Sequence, residues 1–192
     1  MLFPDERRIR LLEAAAAILD AAPNRRLNTV SLNKALFYLD LLSLRDKGST
    51  FTQNAYIALE MGPVVAKYPT KLIKAMEREG IATQGEMGLA NPVTLIRLPS
   101  LTRVTGEISE MASSIAKWCA RQTSKMISDY SHNNIGWIIA REDERHSGKK
   151  QVIDMNIAMQ QIVNDDPWVN SALSQSSQAA CNLMDTKKGL VW

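Results

Sequence analysis

The chain predicts a mainly α-helical fold carrying a small antiparallel β-sheet, an α+β arrangement in one compact helical domain. Three observations predict it. Apolar residues return at helical spacing through most of the chain, the segments rich in β-branched and aromatic residues are few and short, and Gly or Pro punctuates the boundaries between them.

Pro4, Asp5 and Glu6 open the first helix, because proline suits the first helical position and acids there complement the helix dipole. Ile9, Leu12, Ala16 and Leu19 form its apolar face, and Pro23 biases Ala22 out of the helical region, giving a helix over residues 4–21. The second helix opens at Thr29 or Ser31, either of which suits an N-cap, and stops at Gly48. Leu32, Leu36, Leu39 and Leu42 make one apolar row and Phe37, Leu41 and Leu44 another, so nearly the whole circumference is apolar and the helix belongs at the centre of the core. Residues 50–58 suggest an extended segment, Gly62-Pro63 a turn, and Pro69 the start of a helix that Gly80 ends. Val93 to Leu98 is the other strand candidate, which allows a sheet of two or three strands.

Ile108, Met111, Ile115 and Trp118 place a helix over residues 103–121, and Thr123 or Ser124 caps a shorter one through Tyr130. Asp154 precedes another amphipathic helix with Met155, Ile157, Met159, Ile162 and Val163. Beyond it the sequence turns to Ser, Gln and Ala with a thin apolar stripe at Trp168, Ala172, Leu183 and Met184. The expected organisation is therefore a domain over residues 1–163 and an extension over 164–192, a weak helix and tail.

Composition narrows the function classes. The formal net charge is only +3; residues 1–80 carry 12 Lys and Arg against 9 Asp and Glu, and residues 81–192 carry 11 against 11. So mild an excess is not the footprint of a dedicated nucleic-acid binder. Cys119 and Cys181 match no CxxC pair and suit a reducing compartment. Residues 1–8 lack the pattern of a signal peptide, and the apolar runs Ala14 to Leu19 and Ala35 to Leu44 are too short or too interrupted to span a bilayer. A cytoplasmic location with no membrane partner is expected.

The chemistry-bearing motifs weigh against catalysis. No nucleophile elbow, phosphate-binding loop or dinucleotide fingerprint is present. Cys119 stands beside Trp118 on an apolar helix face, where a thiolate is disfavoured, so a hydrolase built on Cys119 and His132 has little to recommend it. Glu142 to His146 concentrates carboxylates with an imidazole, but His132 and His146 are the only histidines, so a solvated loop is favoured over a metal site. No cofactor, no metal and no enzymatic activity are expected. Lys67, Lys71, Lys74 and Arg78 recur at spacings that put four cations on one helix face, a stripe suited to phosphate or an acidic partner.

Three segments, taken in order, resemble the Panacea (SocA-like) antitoxin domain. Ser31 to Asp40 is similar to its cap, lysine and leucine/aromatic helix. Tyr56 to Val65, with Tyr68 behind it, is similar to its strand and glycine-proline-valine turn. Ser131-His132 and Trp137, followed by Ile153-Asp154-Met155, form the third. The resemblance covers about residues 8–163. Met61 departs from it, standing where relatives tend to place an aromatic, and nothing after Val163 has a counterpart. The resemblance implies a protein without chemistry of its own, encoded beside a toxin or on a phage or mobile element, that neutralises its neighbour by direct contact. The implied partners are the cognate toxin, a cellular protease for which the chain acts as adaptor, and a second copy of itself; Tyr56, Met61, Gly62, Pro63, Tyr68, His132 and Trp137 are the candidate contact residues. The nine methionines suit an adaptable surface. The alternative is a nucleic-acid-binding transcriptional regulator using Lys67 to Arg78.

Overall fold

A computed structural model describes residues 3–86, 91–163 and 167–168. Helix α1, Pro4–Ala21, opens on its proline as expected. A short turn at Pro23–Arg25 leads into strand β1, Arg26–Asn28, and helix α2, Thr29–Lys47, follows at once. The cap of α2 is Asn28 rather than Thr29 or Ser31: its side chain accepts from the backbone N–H of Ser31 at 2.8 Å. Gly48 ends the helix in the left-handed conformation at φ 72°, with its N–H on the Leu44 carbonyl.

Every residue from Ser31 to Ser43 in α2 is buried. Around it pack α1, α4 (Gly106–Ala120), α5 (Ser124–His132) and α7 (Met155–Met159), with α6 (Ile135–Ser147) laid outside against α7. The side-chain caps of Thr105, Thr123, Asn134 and Asp154 start α4 to α7 in turn. An aromatic cluster fills one end of this core. Tyr38 meets Trp118 at 5.9 Å, Tyr130 at 5.6 Å and Trp168 at 5.5 Å between ring centroids. Trp168, assigned by sequence to the extension, is thus part of the core; the helix and tail expected over the rest of 164–192 lie outside the described residues.

The β structure is divided in two. Strands β4 (Ala82–Gln84) and β1 flank β5 (Pro92–Leu95) in an antiparallel sheet, while β2 (Tyr56–Leu59) and β3 (Gly62–Val65) form a separate antiparallel hairpin. Residues 151–153 lie along the free edge of β2, where the Ile153 N–H donates to the Tyr56 carbonyl at 2.8 Å. Strands β1 and β4 are three residues long, too short to leave a periodic signal. The extended segment expected over 50–58 is shorter and later, beginning at Tyr56.

Two further expectations are corrected. Gly62-Pro63 is not itself the turn; the turn is Glu60-Met61, and Gly62 and Pro63 begin the returning strand. The acidic run Glu142 to His146 is not a loop but the last two turns of α6, where Glu142 pairs with Arg145 and the His146 ring reaches the Glu142 carbonyl at 2.9 Å. The run carries no helical signal in the sequence because α6 leaves Ile135, Ile138 and Ile139 exposed, so its apolar residues mark no buried face.

Candidate partner-binding surface

The buried length of α2 is not wholly apolar. Asn33, Lys34, Asp40 and Ser43 interrupt it, each buried, and each bonds the chain that returns past the helix between residues 49 and 65. A buried polar side chain costs free energy unless it finds a partner, so these four fix that segment strongly. Ser43 Oγ donates to the Ser49 carbonyl at 2.9 Å. Asp40 accepts from the Thr52 backbone N–H at 2.7 Å, the Thr52 hydroxyl at 2.5 Å and the Tyr56 hydroxyl at 2.8 Å. Burial raises the Asp40 carboxyl to about 6 while the donors from Thr52 and Tyr56 pull it down, so it is largely ionised at neutral pH.

At the hairpin the bonds come from three helices. Lys34 Nζ donates to the Pro63 carbonyl at 3.0 Å, and Asn33 Oδ1 accepts from the Val65 N–H at 3.1 Å, so α2 closes the outer edge of β3. Ser128 Oγ, from α5, donates to the Met61 carbonyl at 3.1 Å. Trp137 Nε1, from α6, donates to the Leu59 carbonyl at 3.0 Å. His132, at the end of α5, bonds the backbone of Glu60 and stacks on Trp137 with ring centroids 4.3 Å apart. Its Nε2 is buried without a hydrogen-bond partner among the described residues, and burial followed by the nearby Lys34 charge lowers its pKa, so the ring is neutral at pH 7.

Gly62 lies at the tightest point. Its φ is 95°, and a Cβ there would come 2.3 Å from Ser131 Oγ and 2.7 Å from Lys34 Cε. No other residue supplies both the positive dihedral and the space. Lys34 itself is fully buried with that carbonyl as its one hydrogen-bond partner among the described residues, and burial brings its pKa down from 10.5 to about 7.

The candidate contact residues therefore divide. Met61 is 50 % exposed at the tip, with Glu60 exposed beside it, and Tyr68 and Trp137 are half-buried. Gly62 and Pro63 are buried and shape the tip from beneath. Tyr56 is 0 % exposed with its hydroxyl on Asp40, which corrects its assignment as a contact residue: it supports the hairpin from the core. A cavity of about 350 Å³ opens beside the tip, lined by Met61, Val64, Tyr68, Asn33, Lys34 and Lys150 among others. Asn33, Asp40 and Ser128, which also shape this surface, are not among the residues singled out from the sequence. A signal existed for the first two, polar residues set inside an otherwise apolar helix.

The basic stripe is also corrected. Residues Pro69–Ile73 form a π-helical turn, wider than an α-turn, before α3 (Lys74–Arg78) begins, and Lys67 precedes it with φ 60°. The changed winding sends Lys71 and Arg78 toward α1 and Lys74 toward Tyr68 and Glu77, so the four cations do not share a face. Cys119 is buried in α4, and burial pushes its thiol up to about 12. No helix among the described residues is long and apolar enough to cross a membrane.

The model of one protein family, the antitoxin SocA-like Panacea domain, matches residues 32–138, more than half of the chain. That range runs from α2 into α6 and contains the side chains of α2, α5 and α6 that clamp the hairpin. No curated protein and no solved structure gives a match.

Proposed function

The chain belongs to the antitoxin SocA-like, Panacea-domain family, and we propose that it neutralises a cognate toxin by direct contact, docking it on the hairpin tip and the adjoining face of α6. The observation that carries this reading is the tip itself. Leu59, Glu60, Met61, Pro63 and Val65 are each held through their backbone by a side chain from α2, α5 or α6, while the Met61 and Glu60 side chains face outward. A loop fixed before binding loses little conformational entropy on docking, and a thioether adapts to the shape it meets. Ile138 and Ile139, 42 % and 40 % exposed on α6, extend the apolar surface on the helix that anchors Leu59.

In this reading the toxin is the product of an adjacent gene on a phage-derived or mobile segment, met in the cytoplasm, and the antitoxin contributes binding alone. Delivery of the complex to a protease and self-association would act on the same bound state. The nucleic-acid alternative has less to stand on, because of the cations it needs on one face Lys71 and Arg78 line one cavity and Lys74 another.

Expression of the neighbouring gene tests the reading. Alone it should arrest growth, and co-expression of this chain should restore it. Met61→Asp and Ile138→Asp, both at exposed positions, should lower rescue at least tenfold with circular dichroism unchanged. A neighbour that is harmless alone removes the antitoxin role, and full rescue by both variants removes the tip and α6 as the docking surface.

A further inference from the structure

Away from the hairpin, α1 and the segment 70–78 enclose a cavity of about 320 Å³. Arg7, Arg8, Lys71 and Arg78 line it, over a floor of Leu11 and Ala75, which are 1 % and 4 % exposed. Arg8 pairs with Glu79; Arg7, Lys71 and Arg78 have no carboxylate within ion-pair distance among the described residues. Asp5 is the single acid in the lining. Three unpaired cations gathered in one concavity repel each other, and a bound anion relieves that repulsion.

The neutral groups of the lining show what kind of anion fits. The Thr70 hydroxyl already donates to the Lys67 carbonyl at 3.1 Å, and the Asn54 amide donates to the carbonyls of Arg7 at 3.2 Å and Thr52 at 3.0 Å. What is left to a ligand is guanidinium and ammonium groups around an apolar floor. Guanidinium forks match carboxylates bidentately, and the floor takes an aliphatic side chain. A nucleic-acid strand needs a basic path rather than one enclosed cluster, and here it would meet Asp5 in the lining and Glu79 beside Arg8, both exposed. We propose that this cavity binds a short acidic peptide segment of the partner protein, carboxylates on the cations and an apolar side chain on Leu11 and Ala75. The inference rests on the protein-binding reading for the class of its occupant. Arg7 and Arg8 precede the family-matched residues 32–138, and Lys71 and Arg78 fall within them.

Fluorescence anisotropy with the full-length chain and a fluorescein-labelled peptide alternating glutamate and leucine tests it. Binding should weaken at least tenfold with Lys71→Glu or Arg78→Glu, both exposed, and less than twofold with Lys117→Glu, the same change of charge on the exposed side of α4. Replacing the peptide's leucines with serine should also weaken binding, and raising salt from about 0.05 to 0.3 M should weaken it further. Absence of binding at low salt, equal losses in all three variants, or tighter binding of a single-stranded DNA of the same length overturns the proposal. Growth rescue separates the two readings. A chain that neutralises its toxin but ignores the peptide removes the cavity alone, and one that binds the peptide but neutralises nothing removes the antitoxin role and leaves the cavity.

Discussion

The ammonium of Lys34 is buried against one carbonyl, with its pKa brought down from 10.5 to about 7. In the unfolded chain the same group keeps its proton to about pH 10. Between those values the unfolded state binds more protons than the folded one, so this lysine makes stability rise with pH from 7 to 10. Lys34→Met removes the rise. Urea unfolding of both proteins across that range should show their difference in stability shifting toward the wild type by about 2–4 kcal/mol, the other titrating groups being common to both. Parallel curves would mean that the ammonium is solvated. Asp40 shows the opposite case, a buried charge ringed by three donors, and the contrast explains why one of the two groups keeps its charge at pH 7 while the other is near its midpoint.

Among the elements, α6 was the helix least legible in the sequence. Its apolar residues face outward, and Gly136 in its first turn looks like an interruption. The structure gives that glycine a packing role: a Cβ there would come 2.9 Å from the Ala158 Cβ and 3.0 Å from the Ala158 backbone, so α6 and α7 cross at this point. Helix propensity alone favours alanine over glycine by about 1 kcal/mol. The contact reverses the sign, and Gly136→Ala should destabilise by about 1–3 kcal/mol in thermal or urea unfolding; a stabilised variant would show that α6 lies loosely on α7. The helices α1, α4 and α5 could be placed from periodicity and caps because each turns a stripe toward the core, and α2 because it is apolar nearly all round. The bonds from α2 to the hairpin could not, since Lys34 and Pro63 are 29 positions apart and local patterns say nothing of such pairings.

For the whole molecule, Trp168 joins the end of the chain's described part to the central helix. Its indole meets Tyr38 at 5.5 Å and Trp118 at 5.9 Å and is 5 % exposed. Trp168→Ala should cost about 3–5 kcal/mol in urea unfolding without abolishing helix content; a cost below about 1 kcal/mol would mean that the domain is complete without it. The sequence placed this tryptophan in a weak extension because nothing near it repeats, yet a single large side chain needs no repeat to fill a gap between Tyr38 and Trp118. The clamped hairpin has a different consequence. None of the bonds that hold it passes through the side chain of residue 61, so substitutions there alter what the tip offers without altering its path. Under the docking reading proposed above, a chain that builds its tip this way can change allegiance to a new adversary through point changes at one solvent-facing position, leaving the fold that carries it intact.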